Sequence, residues 1–237
     1  MAEKLHQQTF FDVEPGYPPQ GGAKGASGDR GALPKAKEEW SWIDDLSVLE
    51  REVIKCARCG LRAGCKGVVF GEGNPRALLL LVGEGPGAVE DEVGRPFVGP
   101  AGQLLDRILA AAGFRREEVY IANVVKCRPP GNRLPTPQEA EECWPHLKAQ
   151  IRIINPRIIV CLGALATQML VDRNARITRS RGIWVERDGR LIMPTFHPAA
   201  LLRDETKKKP VWEDFKKVRE AYDAISRGEA AAGMDIL

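Results

Sequence analysis

An α/β fold, a three-layer α/β/α sandwich around a central, mainly parallel sheet, is predicted by two features of the chain. Four short apolar runs are spread along it, at 77–82, 119–125, 157–162 and 191–193, and helical patterns lie between them. Runs apolar throughout fit strands buried on both faces, and alternation with helices is what a parallel sheet requires.

Taken in order, the first element is a helix from Glu38 onward, where Trp40, Ile43, Leu46, Leu49 and Val53 recur at helical spacing. The first strand, 77–82, is followed by a helix over 101–112. The second strand, 119–125, precedes a helix over 136–154, which Thr136 and Glu139 open in capping-box register. The third strand, 157–162, is followed by a helix over 164–171. After the fourth, 191–193, an amphipathic helix over 211–225 closes the pattern.

Residues 1–38 stand apart. They hold Pro15, Pro18, Pro19 and Pro34 with many glycines and few aliphatics, so they bury too little apolar surface to offset their ordering entropy. The division is a disordered tail over 1–38, a folded domain over 39–228 and a short second tail over 229–237. Within the first tail, Gln7-Gln8-Thr9-Phe10-Phe11 presents paired aromatics suited to an apolar pocket on a partner such as a sliding clamp, although Gln7 stands where such a motif carries an aliphatic residue.

Composition excludes several classes. Of 237 residues 43% are hydrophobic and 28% charged, enough for a core and too balanced for wholesale disorder. The apolar runs are far shorter than the roughly 20 residues that span a bilayer, and no charged-then-apolar segment opens the chain. A cytoplasmic protein without a membrane partner is expected. Lys+Arg 35 against Asp+Glu 32 leaves +3, so any affinity for a polyanion must come from local clusters.

In open parallel sheets ligands bind beyond the carboxyl ends of the strands, which directs attention to three loops. After Val82 come Gly83-Glu84-Gly85-Pro86-Gly87, Glu90-Asp91 and Gly94-Arg95-Pro96-Phe97-Val98-Gly99. After Ile121 come Asn123 and Lys126-Cys127-Arg128-Pro129-Pro130-Gly131-Asn132-Arg133. After Met193 comes Pro194-Thr195-Phe196-His197-Pro198. The first loop has neither the Gly-Lys-Ser/Thr ending of a P-loop nor dinucleotide-site spacing, and by itself reads as a set of tight turns.

Six cysteines without an export signal argue against a disulfide framework. Cys56 and Cys59 form a Cys-x-x-Cys pair, and Cys127 and Cys143 complete a set of four thiolates of the kind that holds zinc or an iron-sulfur cluster. Cys161, within an apolar run, reads as a core thiol, and Cys65 as a less regular alternative ligand.

The three loop motifs, with His197-Pro198-Ala199-Ala200-Leu201-Leu202, resemble family 4 uracil-DNA glycosylases, the iron-sulfur branch of that superfamily, in unbroken order over about 49–225. The resemblance implies a [4Fe-4S] cluster on Cys56, Cys59, Cys127 and Cys143, chiefly structural. It implies base-excision repair of uracil-containing DNA by a monomer that hydrolyses the N-glycosidic bond of a flipped deoxyuridine. Asn123 would read the uracil edge and Phe97 stack on the ring. His197 would bond O2, and Glu84 would stabilise the sugar cation or orient water. Gly85 would add backbone donors, and Glu90 would shape the pocket near C5. Arg128, Arg133, Arg203, Lys207 and Lys208, with Lys209, would meet phosphates, and Leu201 would fill the vacated stack. Many superfamily members carry an aspartate base and a tyrosine in the first loop, where this chain has Gly85 and Gly87. The absence of histidine over 128–133 argues against the branch that crosslinks to DNA. The rival readings are a damage-binding module with weak catalysis on the same scaffold and an iron-sulfur redox or sensor protein.

Overall fold

The computed structural model describes residues 40–229, so the Gln7 to Phe11 stretch lies outside the described residues. The apolar runs form strands β2 (Leu79–Gly83), β3 (Tyr120–Asn123), β4 (Ile158–Leu162) and β6 (Arg190–Thr195), joined by the short β1 (Glu72–Gly73) and β5 (Val185–Arg187). The sheet order is β1-β3-β2-β4-β6-β5. The inner four strands are parallel, and β1 and β5 pair antiparallel at the two edges. These edge strands are not among the expected elements: two or three residues, partly polar, carry no readable period.

Every residue of β2 is buried. Leu80 and Val82 join one core and Leu79 and Leu81 the other, because successive side chains leave a strand on opposite faces. Helices α5 (Pro137–Ile154) and α6 (Ala164–Leu170) cover the first face through Trp144, Leu147, Ile151 and Leu170. Helices α4 (Pro100–Ala111) and α9 (Lys208–Ser226) cover the second through Leu105, Leu109, Phe215 and Val218. The capping box of α5 is formed: Glu139 N–H donates to Thr136 Oγ1 at 3.2 Å and Thr136 N–H to Glu139 Oε2 at 2.7 Å.

Helix α1 (Leu46–Val53) starts well after Glu38, where the sequence pattern began, because the Asp45 carboxylate accepts from the N–H groups of Ser47 and Val48 and caps the helix there. Trp40 to Ile43 form a turn instead, and α1 packs on the outside of α5 through Leu49, Val53 and Ala149. Short helices α2 (Leu61–Gly64), α3 (Ala88–Val93), α7 (Ile177–Ser180) and α8 (Pro198–Arg203) sit in the connections, too brief to show a period. No helix among the described residues is long and apolar enough to cross a membrane.

Candidate active site

Parallel register sets Gly83, the last residue of β2, opposite Asn123, the last of β3. The pairing continues past the strands, with Val124 N–H donating to Gly83 O at 2.9 Å and Val125 N–H to Glu84 O at 3.1 Å, which pins the start of the glycine loop, and Gly85 after it, beside the asparagine. Gly83 permits a close approach: a β-carbon there would lie 2.4 Å from Asn123 Oδ1 and 2.5 Å from Phe97 Cζ. Asn123 is 2% exposed. Its Oδ1 is buried and has no hydrogen-bond partner among the described residues, a costly condition that marks a ligand-binding acceptor.

Phe97 holds a backbone φ of 52°, a left-handed conformation that costs a residue with a β-carbon about 1–2 kcal/mol. Several contacts enforce it. Arg116 donates to the carbonyls of Phe97 at 3.2 Å and Pro96 at 2.6 Å, and is itself held by Glu72 and Asp106. Glu90 Oε1 accepts from Val98 N–H at 3.0 Å and Gly99 N–H at 2.8 Å. Gly102 of α4 lies against the Phe97 backbone. Glu90, expected near the base, is thus engaged in bracing the segment that carries the aromatic ring. Arg116, Glu72 and Asp106 were missed by sequence reading, because a brace formed by fold contacts has no local motif.

His197 follows β6 and caps α8: its Nδ1 accepts from Ala199 N–H at 3.1 Å. Its ring centroid is 5.5 Å from that of Phe97. Burial, assisted by the Arg203 charge, lowers the imidazole pKa to about 4, with Glu90 opposing. A neutral ring whose Nδ1 is an acceptor carries its proton on Nε2, so Nε2–H is the available donor. Burial raises the Glu84 carboxyl above the usual carboxylate range, with Arg203 opposing. Asparagine, aromatic ring and imidazole therefore converge at the carboxyl ends of three parallel strands, with Glu84 beside them.

The basic residues divide. Arg203 is exposed and its charge reaches both Glu84 and His197. Arg128 is half-buried and its Nε donates to Asn132 Oδ1 at 2.7 Å. Arg133 is occupied, donating to both Glu139 oxygens at 2.7 and 2.8 Å beside the α5 cap. Lys207 pairs with Asp204 at 3.1 Å and lies 5.6 Å from the Phe196 ring centroid, and the exposed Lys208 pairs with Glu205. Leu201, expected to fill the vacated stack, is 1% exposed and belongs to the core beneath α8, whereas Leu202 is 48% exposed. Helical geometry turns adjacent residues to different faces, so Leu202 and not Leu201 faces outward from α8.

Cys56, Cys59, Cys127 and Cys143 line one small pocket between α1, α2 and α5. Burial pushes Cys143 up to about 12, and the neighbouring Cys59 and Cys56 add to the rise. Cys127 is likewise pushed up by burial, and then by Cys65, Cys143 and Cys59. Thiols that oppose one another's ionisation around a shared space need a positive centre to become thiolates together. Lys126 N–H donates to Cys143 Sγ at 3.2 Å, a bond of the type that stabilises a ligating sulfur. Among the described residues no three His, Cys, Asp or Glu side chains gather closely enough to hold a single ion. Four thiols lining one pocket are the donor chemistry of a zinc or an iron-sulfur site. Cys161 is a fully buried core thiol.

A family model described as the uracil DNA glycosylase superfamily matches residues 70–216. The type-4 uracil-DNA glycosylase of Thermotoga maritima is 48% identical over 178 residues, covering 73% of this chain and 93% of the relative. That of Sulfurisphaera tokodaii is 44% identical over 187 residues, 75% and 85% of the two chains. That of Archaeoglobus fulgidus is 42% identical over 186 residues, 75% and 94%.

Proposed function

The chain belongs to the uracil-DNA glycosylase superfamily and, within it, to the type-4 enzymes, and from that premise we propose how its residues remove uracil from DNA. The activity is hydrolysis of the N-glycosidic bond in DNA repair. The base is inaccessible in the duplex, so the nucleotide must be flipped out.

The observation that carries the assignment of residues is the orphaned Asn123 Oδ1 beside Phe97. Uracil offers N3–H to this acceptor, and its O4 accepts from the Asn123 amide N–H; cytosine presents the reverse pattern and is refused. Phe97 supplies the stacking face. As the bond lengthens, negative charge grows on the base and positive charge on the sugar. His197 Nε2–H donates to O2 without first losing or gaining a proton, and the Glu84 carboxylate stabilises the sugar cation or orients water. Glu90 acts at one remove, by holding the Phe97 segment, and Gly85 contributes backbone donors beside Glu84.

Cys56, Cys59, Cys127 and Cys143 hold a [4Fe-4S] cluster in this reading, supported by the four-cysteine cavity. When bound it supplies a structural cross-link between α5, the loop after Asn123 and the N-terminal helices. Arg203 is the phosphate contact best supported by exposure, with Arg128, Lys207, Lys208 and Lys209 around it, while Arg133 must first leave Glu139. Leu202, in place of Leu201, enters the vacated stack. The enzyme acts as a monomer in the cytoplasm, without strand cleavage, and the Gln7 to Phe11 stretch recruits a sliding clamp.

The test is single-turnover release of uracil from a defined oligonucleotide. Asn123→Ala should slow it by about 100-fold or more, since a site built to pair polar edges loses most when one edge is missing, with the fold intact by circular dichroism. An unchanged rate overturns the assignment.

A further inference from the structure

Lys126 is 1% exposed, a rare state for a lysine without an acid beside it. Its ammonium donates to the Asn123 carbonyl at 2.9 Å and to Gln150 Oε1, and lies 6.0 Å from the Phe70 ring centroid. Gln150 is fixed in turn, its amide donating to Phe70 O at 2.9 Å. None of these partners carries charge, and no carboxylate among the described residues pairs with the ammonium. The nearby ionisable group acting on it is Cys143, whose sulfur accepts from the Lys126 backbone N–H. Lys126 also lines the four-cysteine cavity.

A cluster on four thiolates is anionic, because the sulfurs outweigh the charge of the iron-sulfide core. The Lys126 ammonium, which has no carboxylate partner among the described residues, is then a counter-charge for the cluster, alongside Arg58 and Arg62 in the lining of the same pocket. We propose that Lys126 is a positioning residue serving both sites: its buried ammonium balances the loaded cluster and, by donating to the Asn123 carbonyl, holds the strand end that aims the Asn123 amide at uracil. This rests on the cluster and Asn123 assignments above. It gives the cluster a mechanical link to recognition through one side chain.

The experiment uses full-length holoenzyme carrying Lys126→Met, which keeps volume and removes charge and donor, and Lys126→Gln, which keeps an N–H donor without charge. Four quantities are read: the cluster's visible absorption and rate of loss, its reduction potential, inhibition by free uracil, and single-turnover excision. In Lys126→Met the potential should move to lower values, because adding an electron is harder without the nearby cation. The cluster should be lost faster, free uracil should inhibit more weakly, and excision should slow by about 10- to 100-fold, as for other residues that orient a ligand. Lys126→Gln should recover most of the excision and uracil inhibition yet keep the lowered potential, a split that general destabilisation does not produce. If Lys126→Met does not fold, Lys126→Gln alone decides through its potential. Wild-type potential and excision in both variants overturn the inference while leaving the cluster and Asn123 assignments standing. A wild-type preparation without a cluster overturns the cluster assignment and this inference together.

Discussion

The ring of Phe97 lies 5.5 Å from the imidazole of His197, the planes tilted by 31°. One ring comes from the segment between α3 and α4 and the other from the loop after β6, so only the parallel sheet brings them together. Packing against Phe97 and capping α8 both hold His197 in a neutral, buried form.

The first consequence is a stability signature. The His197 pKa falls from 6.5 to about 4 on folding, so between those values the unfolded chain binds a proton that the folded one refuses. Unfolding free energy should therefore fall as pH drops from 6.5 to about 4 and lose nothing further from this group below that. Urea titrations of wild type and His197→Gln across this range check it: the variant should lose that part of the slope, and parallel curves would contradict the buried neutral imidazole.

Glu84 gives a second pH effect, this time on rate. Its carboxyl titrates above the ordinary carboxylate range because of burial, and only the ionised form can stabilise a sugar cation. Single-turnover excision should fall on the acid side through that raised value. Glu84→Gln should be slower, by about 10- to 100-fold, and lack this limb. An identical limb in the variant would move the titration to another group.

Gly102 tests how Phe97 is held. A β-carbon at Gly102 would lie 2.0 Å from both the carbonyl carbon and oxygen of Phe97, so Gly102→Ala must push the strained segment away from α4. Overpacking of this kind costs about 1–3 kcal/mol, measurable by urea unfolding. Excision should fall by about tenfold or more, since the ring is displaced. Full activity would show that the Phe97 position is not critical.

These residues mark the limit of what the sequence discloses. The four inner strands and the α4, α5, α6 and α9 helices were legible because apolar runs and helical spacing are local signals. Asn123 and His197 were legible as candidates because one ends a strand and the other closely follows one, and Phe97 because it lies in the Gly94 to Gly99 motif. The brace on Phe97 was not, since Arg116 meets Pro96 and Phe97 only after the chain folds. The choice between Leu201 and Leu202 was equally hidden: adjacent leucines are alike until the direction of a six-residue helix is known.

That choice yields a clean pair of variants. Leu202→Ala should leave stability within about 0.5 kcal/mol yet slow excision from duplex DNA more than from single strands, where no stack needs filling. Leu201→Ala should instead cost about 2–5 kcal/mol of stability and affect both substrates alike. The reverse assignment of the two effects would restore Leu201 as the wedge.

Asp214 extends the argument to the end of the strand that leads into the His197 loop. It is 1% exposed, accepts from Thr195 Oγ1 at 2.6 Å and pairs with Arg181, whose Nη2 also donates to Pro210 O at 2.8 Å. Thr195 ends β6 two residues before His197, so α9 holds the base of the histidine loop through this carboxylate. Asp214→Ala leaves the Thr195 hydroxyl and the Arg181 guanidinium without their shared acceptor. Breaking a fully buried pair costs about 3–5 kcal/mol; Arg181 retains 24% side-chain exposure, which reduces the expected loss to about 2–3 kcal/mol by solvation of the guanidinium. Asp214→Asn keeps an acceptor for Thr195 and should lose less stability, because the loop stays anchored when the charge pair goes. Single-turnover excision should follow the Thr195 contact: strongly reduced in Asp214→Ala and largely retained in Asp214→Asn. Equal rates in the two variants would show that the carboxylate stabilises α9 without positioning His197.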